Sequence, residues 1–130
     1  MYLIPYLLVD RLPFVASQEQ VRRHYGQPLR QERLEIGLQT LDYGSWVARF
    51  QASGQLEEVT KRAPALFLLR QRVLFADLDR FVRQHDAGFF VRGGFVVSPR
   101  FGLAFVPDEP DWVTALAAHC IPAWRAMPAG

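Results

Sequence analysis

Two halves of the chain share a loosely repeated pattern, and this pattern is the main basis for predicting the fold. Each copy begins with a short stretch of helical character and continues into residues of strand character. His24 and His85 fall at matching points of the two copies, near the end of each helical stretch. A repeated supersecondary unit predicts two copies stacked around a shared core. We therefore predict a single domain over residues 1–130, with pseudo-repeats at approximately 8–63 and 65–118.

The pattern inside each copy predicts an α+β fold. Ser17 followed by Gln20 has the spacing of a capping box, and Gly26 is a suitable helix end. Asp77 is predicted to cap the second helix, with Leu78 on its inner face. Alternating apolar residues follow each helix and are typical of strands. The predicted architecture is two helix-plus-β-hairpin repeats that form one antiparallel curved sheet, with the helices on one face.

Glycine and proline mark the predicted irregularities of the strands. Residues 2–8 are predicted to be an opening strand, and Pro5 restricts it to a sheet edge. Gly44 interrupts an alternating run and predicts a β-bulge. Gly93 and Gly94 predict a bend or turn between two apolar segments.

Composition excludes several classes of protein. Half of the residues are hydrophobic and 13% are aromatic, which excludes a disordered chain. The formal net charge is only +2, and basic residues occur in no run longer than pairs such as Arg22 and Arg23, so we predict no nucleic-acid partner. Asp10 interrupts the apolar N-terminus long before it reaches membrane-spanning length, so we predict no membrane association and a cytoplasmic location.

The candidate catalytic groups do not form a recognisable constellation in the sequence. Cys120 is the single cysteine, which excludes an intramolecular disulfide, and we interpret it as a semi-buried structural thiol. His119 precedes it directly, and adjacent strand residues point to opposite faces, so we expect no dyad there. His24 and His85 suit the last turns of helices without any metal. We predict a non-enzyme without a metal or a cofactor.

Aromatic residues beside an acidic turn are the best candidates for a binding surface. Aromatic side chains anchor many protein interfaces, and the turn before Trp112 is both acidic and stiffened by two prolines. The alternative is that Trp112 begins a core strand and that the acidic residues only solubilise the turn. The predicted partner-binding residues are Tyr43, Trp46, Asp108, Glu109, Asp111 and Trp112.

The repeated pattern resembles the fold of the beta-lactamase inhibitor protein and of the related SmpA/OmlA outer-membrane assembly lipoproteins. The resemblance rests on residues 14–26 with 41–60 and on residues 75–88 with 101–114. It implies tandem copies that continue one curved sheet. The chain departs from both relatives, because it lacks the disulfides of the inhibitor and the N-terminal lipidated cysteine of the lipoproteins.

The chain, including the segment FGLAFVPDEPDWVTALA, also resembles small cytoplasmic immunity proteins encoded beside toxins of bacterial polymorphic or type VI secretion systems. That resemblance implies an immunity protein that binds one cognate protein toxin and sterically blocks it. Two alternatives stay open. One is a small-ligand-binding or enzymatic α+β domain with a pocket containing His24, His85 or Arg92. The other is a structural subunit that assembles through the strand at residues 2–8. The sequence leaves the oligomeric state open.

Overall fold

The computed structural model describes residues 1–34 and 37–128, which form a mixed α and β structure. None of the helices within these residues is long and apolar enough to cross a membrane. The helices are α1 (Gln18–Tyr25), α2 (Phe75–His85), a 3-10 turn (Ala118–Cys120) and α3 (Ile121–Ala126). The strands are β1 (Leu3–Ile4), β2 (Leu8–Val9), β3 (Leu12–Pro13), β4 (Arg30–Arg33), β5 (Gln39–Asp42), β6 (Trp46–Phe50), β7 (Leu56–Arg62), β8 (Ala65–Leu68), β9 (Gln71–Leu74), β10 (Phe90–Arg92), β11 (Phe95–Ser98), β12 (Leu103–Phe105) and β13 (Trp112–Leu116).

The main sheet has eight strands in the order β10-β11-β12-β13-β7-β6-β5-β4, and all neighbours are antiparallel. Helix α1 precedes β4–β7 and helix α2 precedes β10–β13, so each half contributes four consecutive strands. The last strands of the two halves, β7 and β13, pair at the centre. Thr60 lies opposite Thr114 there, with 2.9 Å between their Oγ1 atoms. The prediction of an α+β fold is confirmed, and α1 and α2 each precede four strands of the main sheet.

The two longer helices cover one face of this sheet. Register pairing places Trp46, Val113 and Phe105 in one cross-strand row, and directly paired residues share a face. The ring of Trp46 contacts Tyr25 of α1 at 5.0 Å, and Phe105 contacts Phe75 of α2 at 5.9 Å. The apolar core lies between this face and the helices. Helix α3 packs on the opposite face, which leaves the β4–β7 half of that face uncovered by a helix.

The two helix starts differ in how their first amides are satisfied. The capping box of α1 is confirmed, because the Gln20 amide donates to the Ser17 side chain at 3.2 Å and the Ser17 amide donates to the Gln20 side chain at 2.8 Å. The prediction for α2 is wrong, because the helix begins at Phe75, before Asp77. The Phe75 amide donates instead to the Pro64 carbonyl at 2.9 Å, so a tertiary contact replaces the side-chain cap.

The predicted strand at residues 2–8 is wrong. Strands β1 and β2 are separated by a turn at Pro5–Leu7, in which Tyr6 has a φ of 67°. The Leu7 amide donates back to the Ile4 carbonyl at 3.0 Å and closes this turn. The segment therefore folds into a small three-stranded sheet with β3, not into one edge strand.

Two glycine-containing segments form hairpin turns. Gly44, with a φ of 89°, lies in a two-residue turn in which the Tyr43 amide donates to the Trp46 carbonyl at 2.9 Å. The predicted bulge at this position is therefore wrong, and the turn separates β5 from β6. Gly93 and Gly94 also have positive φ values and connect β10 to β11, as predicted. Positive φ at both Gly93 and Gly94 matches the right-handed twist of the paired strands.

Candidate functional site

The six predicted binding residues gather at one end of the central strands. Strand β7 ends there, β6 and β13 begin there, and Trp112 pairs with Arg62. The Arg62 amide donates to the Ser45 carbonyl at 3.1 Å, and the Ala63 amide donates to the Asp111 carbonyl. These bonds join the two turns into one continuous edge. We call this surface the rim, which consists of residues 43–46, Arg62 and residues 107–112.

The acidic turn of the rim is open to solvent, and Trp112 is partly open. The Trp112 residue is 38% exposed, and Asp108 and Glu109 are both exposed. Asp111 has a φ of 73°, and its carboxylate lies 3.8 Å from the Arg62 guanidinium. Trp112 therefore combines the two interpretations of the sequence, because it begins a central strand and still presents part of its ring outward.

Tyr43 and Trp46 reach the rim but pack into the molecule. Their rings are stacked with centroids 4.4 Å apart and an interplanar angle of 7°. Tyr25 contacts Trp46 edge-on at 5.0 Å, and the Tyr43 hydroxyl donates to the Gly26 carbonyl at 2.8 Å. Both side chains thus hold α1 against the sheet. They are less suitable as interface anchors than Trp112, which lies on the opposite face.

Behind Trp112 lies a cleft of about 250 Å³ on the face opposite α1 and α2. Its floor consists of alternate residues of the central strands, and its walls are largely aromatic. Trp124 of α3 contacts Phe95 of β11 edge-on at 5.1 Å and forms the wall on that side. We call this surface the cleft, which is lined by Arg49, Glu58, Thr60, Phe95, Val106, Glu109, Trp112, Thr114 and Trp124.

The floor of the cleft is a connected polar network. One guanidinium nitrogen of Arg49 lies 3.1 Å from the Glu58 carboxylate and donates to the Thr60 hydroxyl at 3.0 Å. Thr60 in turn bonds to Thr114 across the central strand pair. Burial raises the pKa of the Glu58 carboxyl above its ordinary value, Arg49 opposes this shift, and Glu57 reinforces it. Arg49 is thus the main group that stabilises the negative charge of Glu58 in this partly buried position.

The histidines and Arg92 of the alternative pocket are held by separate elements. His24 lines a groove of about 420 Å³ between α1 and the preceding segment, together with Arg11 and Arg23. His85 packs against Phe81 of its own helix, with ring centroids 4.5 Å apart. Arg92 donates to the Arg125 carbonyl of α3 at 3.2 Å. We call the groove beside α1 the α1 groove. Among the surroundings of His24, His85 and Arg92 described above, it is the one with room for a ligand.

A second polar cluster lies at the opposite end of β7 from the rim. Cys120 is in a 3-10 turn, so the expectation for adjacent strand residues does not apply to it and His119. Both reach Glu57, whose carboxylate lies 2.8 Å from His119 Nε2 and whose carbonyl accepts from the Cys120 thiol at 3.0 Å. Burial, followed by the nearby carboxylate of Glu57, raises the pKa of this thiol far above its ordinary value. Cys120 is 2% exposed, so it is more deeply buried than the predicted semi-buried position.

Sequence reasoning missed most of the cleft. Alternation in β6 and β7 places Arg49, Glu58 and Thr60 on the outward face, and this period of two was a usable signal. No local pattern indicates Trp124, because its place depends on how α3 returns over the sheet. Comparison of the chain with protein-family models, with curated proteins and with solved structures finds no match.

Proposed function

We propose that this chain is an immunity protein that binds a cognate bacterial toxin and blocks it by steric occlusion through the rim and the cleft. The bacterial toxin as partner comes from the resemblance of the sequence to immunity proteins. The observation that carries the proposal is the position of Trp112, which is partly exposed between an acidic turn and a cleft with aromatic walls. Tryptophan in such a setting is typical of interface anchors.

The free energy available from Trp112 is sufficient for an anchor. A tryptophan offers up to roughly 250 Å² of surface, and 38% of Trp112 is exposed. A partner that covers this exposed part removes on the order of 95 Å² from water, which contributes about 2 kcal/mol at 25 cal/mol per Å². This magnitude is that of an interface hot spot.

The charge of the rim favours a partner with a basic surface. Within residues 1–34 and 37–128, the carboxylates of Asp108 and Glu109 form no salt bridge, so they are available to a partner. Opposite charges across an interface accelerate association and set orientation, and salt screens this effect. We therefore expect the association rate with the toxin to fall as ionic strength increases.

The internal pairing of the cleft floor favours occlusion over catalysis. Arg49 already bonds to Glu58 and Thr60, and Thr60 bonds to Thr114. A general base or nucleophile has to be directed at a substrate, whereas these groups are directed at each other. A fixed surface of this kind loses little conformational entropy when a partner covers it.

The proposal is tested by measuring binding to the toxin encoded by a neighbouring gene. We expect Trp112→Ala to weaken binding by about 2 kcal/mol, which corresponds to roughly 30-fold in Kd. Phe67→Ala is the matched control, because Phe67 is a 46% exposed aromatic residue outside the rim and the cleft. Thermal melts of both variants separate lost binding from lost folding. Absence of binding by the wild-type protein, or equal weakening by both variants, contradicts the proposal.

The α1 groove supports a second candidate function, the binding of a small amphiphilic anion. Arg11, Arg23 and His24 line it together with apolar side chains such as Val15, and no carboxylate is among its lining residues. Such a mixture suits a ligand that has an acidic group and an apolar body. A thermal-shift screen with acidic metabolites distinguishes this candidate, since stabilisation that Arg11→Ala removes assigns the ligand to this groove.

A further inference from the structure

Three different metal-binding side chains converge where β7 begins and the 3-10 turn follows β13. The ligand atoms of Glu57, His119 and Cys120 all lie within 4.8 Å of one another. They come from two segments that are far apart in sequence and are joined by the central strand pair. One oxygen, one nitrogen and one sulfur ligand thus share a small volume.

The backbone around this cluster holds the two segments together. The Ala117 amide donates to the Glu57 carbonyl at 3.0 Å, and the Cys120 amide donates to the Ala117 carbonyl at 3.0 Å. Cys120 is 2% exposed, whereas the side chains of His119 and Glu57 are 29% and 18% exposed. An ion can therefore enter past the imidazole and the carboxylate, while the sulfur lies on the inner side.

The set of ligand atoms selects the metal. Sulfur and imidazole nitrogen favour Zn²⁺ and exclude Mg²⁺ and Ca²⁺, which require oxygen ligands. Zn²⁺ binds these groups at roughly 2.0–2.3 Å in a tetrahedral arrangement, and a site with three protein ligands keeps the fourth position for water. We propose that Glu57, His119 and Cys120 form a zinc-binding site.

Charge balance is satisfied when zinc binds. The thiol proton of Cys120 leaves to solvent as the sulfur–zinc bond forms, so one thiolate and one carboxylate neutralise the two positive charges of the ion. His119 binds as neutral imidazole. The carbonyl of Glu57 loses the thiol as a donor but keeps the bond from the Ala117 amide. No oxidant, reductant or further reactant is required.

Zinc at this position would connect the start of β7 to the 3-10 turn before α3. The 3-10 turn leads directly into α3, which carries the cleft residue Trp124. A metal that joins β7 to this turn stabilises the placement of α3, because the bound state exists only when both segments are folded together. We therefore expect zinc to raise the melting temperature of the protein.

The experiment is a titration of the chelator-treated full chain with Co²⁺, a spectroscopic substitute for Zn²⁺, followed by displacement with Zn²⁺. We expect saturation at one equivalent, a thiolate-to-cobalt charge-transfer band in the near ultraviolet, and tetrahedral absorption in the visible. We expect His119→Gln to weaken Co²⁺ binding by at least roughly 100-fold, because even residues that only support a ligand contribute 10–100-fold. His24→Gln is the matched control and should bind as the wild type does.

Two outcomes overturn the proposal. The first is a wild-type titration without the charge-transfer band, since this shows that Cys120 does not bind the metal. The second is equal Co²⁺ affinity in His119→Gln and wild type, since this places the ion elsewhere. Cys120→Ser should abolish the band, and its circular dichroism spectrum establishes whether it is folded. His119→Gln keeps the test decisive if Cys120→Ser does not fold.

Discussion

The contribution of the Arg49–Glu58 ion pair to the stability of the fold can be measured by removing one partner. Arg49→Met removes the guanidinium that bonds to Glu58, while the side-chain stem is retained. Removing one partner of a fully buried ion pair costs about 3–5 kcal/mol. The side chains of Arg49 and Glu58 are 28% and 19% exposed, so we expect a smaller loss of about 2–3 kcal/mol in the free energy of unfolding at neutral pH.

This loss should depend on pH in a defined direction. The pKa of Glu58 is already raised above its ordinary value, and loss of Arg49 raises it further. The folded variant then holds the Glu58 proton more tightly than the unfolded chain, so its stability falls as pH rises through the window from the ordinary pKa to the raised one. At pH values above that window, each additional unit by which the pKa of Glu58 is raised lowers the free energy of unfolding by about 1.4 kcal/mol. The deficit of Arg49→Met should therefore be larger at about pH 8 than at about pH 4.

Urea unfolding followed by circular dichroism at these two pH values measures the deficit without adding salt. Arg62→Met is the matched control, because Arg62 pairs with Asp111 at 3.8 Å with 63% of its side chain exposed and should contribute no more than about 0.5 kcal/mol. The double variant Arg49→Met with Glu58→Gln should lose the added pH dependence. A deficit that is equal at both pH values, or a double variant that retains the dependence, refutes this account of the cleft floor.

Two further predictions concern other parts of the chain. Ser17→Ala removes the cap of α1 and should lower the free energy of unfolding by about 1 kcal/mol, whereas Ser53→Ala, in an exposed turn, should change it little; equal losses in urea unfolding contradict the role of the cap. Burial opposes ionisation of Asp10, but bonds from Lys61 and from the Tyr2 amide outweigh it and lower the pKa of this carboxyl. The stabilisation by ionised Asp10 is present above the ordinary pKa and is lost as pH falls through the lowered pKa. Lys61→Met should therefore reduce the free energy of unfolding by about 1 kcal/mol at about pH 7 and by less in acid. A deficit that grows in acid contradicts this prediction.

Local signals in the sequence were sufficient for several elements. The capping box at Ser17 and the turn at Gly93 each depend on neighbouring residues, so each was predicted correctly. The error at the start of α2 has a non-local cause. The start of α2 depends on the Pro64 carbonyl, a group eleven residues away from Phe75 that no capping pattern includes.

Local patterns in the sequence were enough to predict the α+β class, a helix followed by strands in each half of the chain, and the acidic turn before Trp112. The pairing of β7 with β13 is a property of the folded chain, and it creates the rim, the cleft and the cluster at Glu57. It brings Arg62 beside Trp112 at one end, Glu58 and Thr60 beneath the cleft, and Glu57 beside His119 and Cys120 at the other end. Short-range patterns specify the conformation of each segment, whereas strand order follows from burial of the whole apolar face, to which distant segments contribute together.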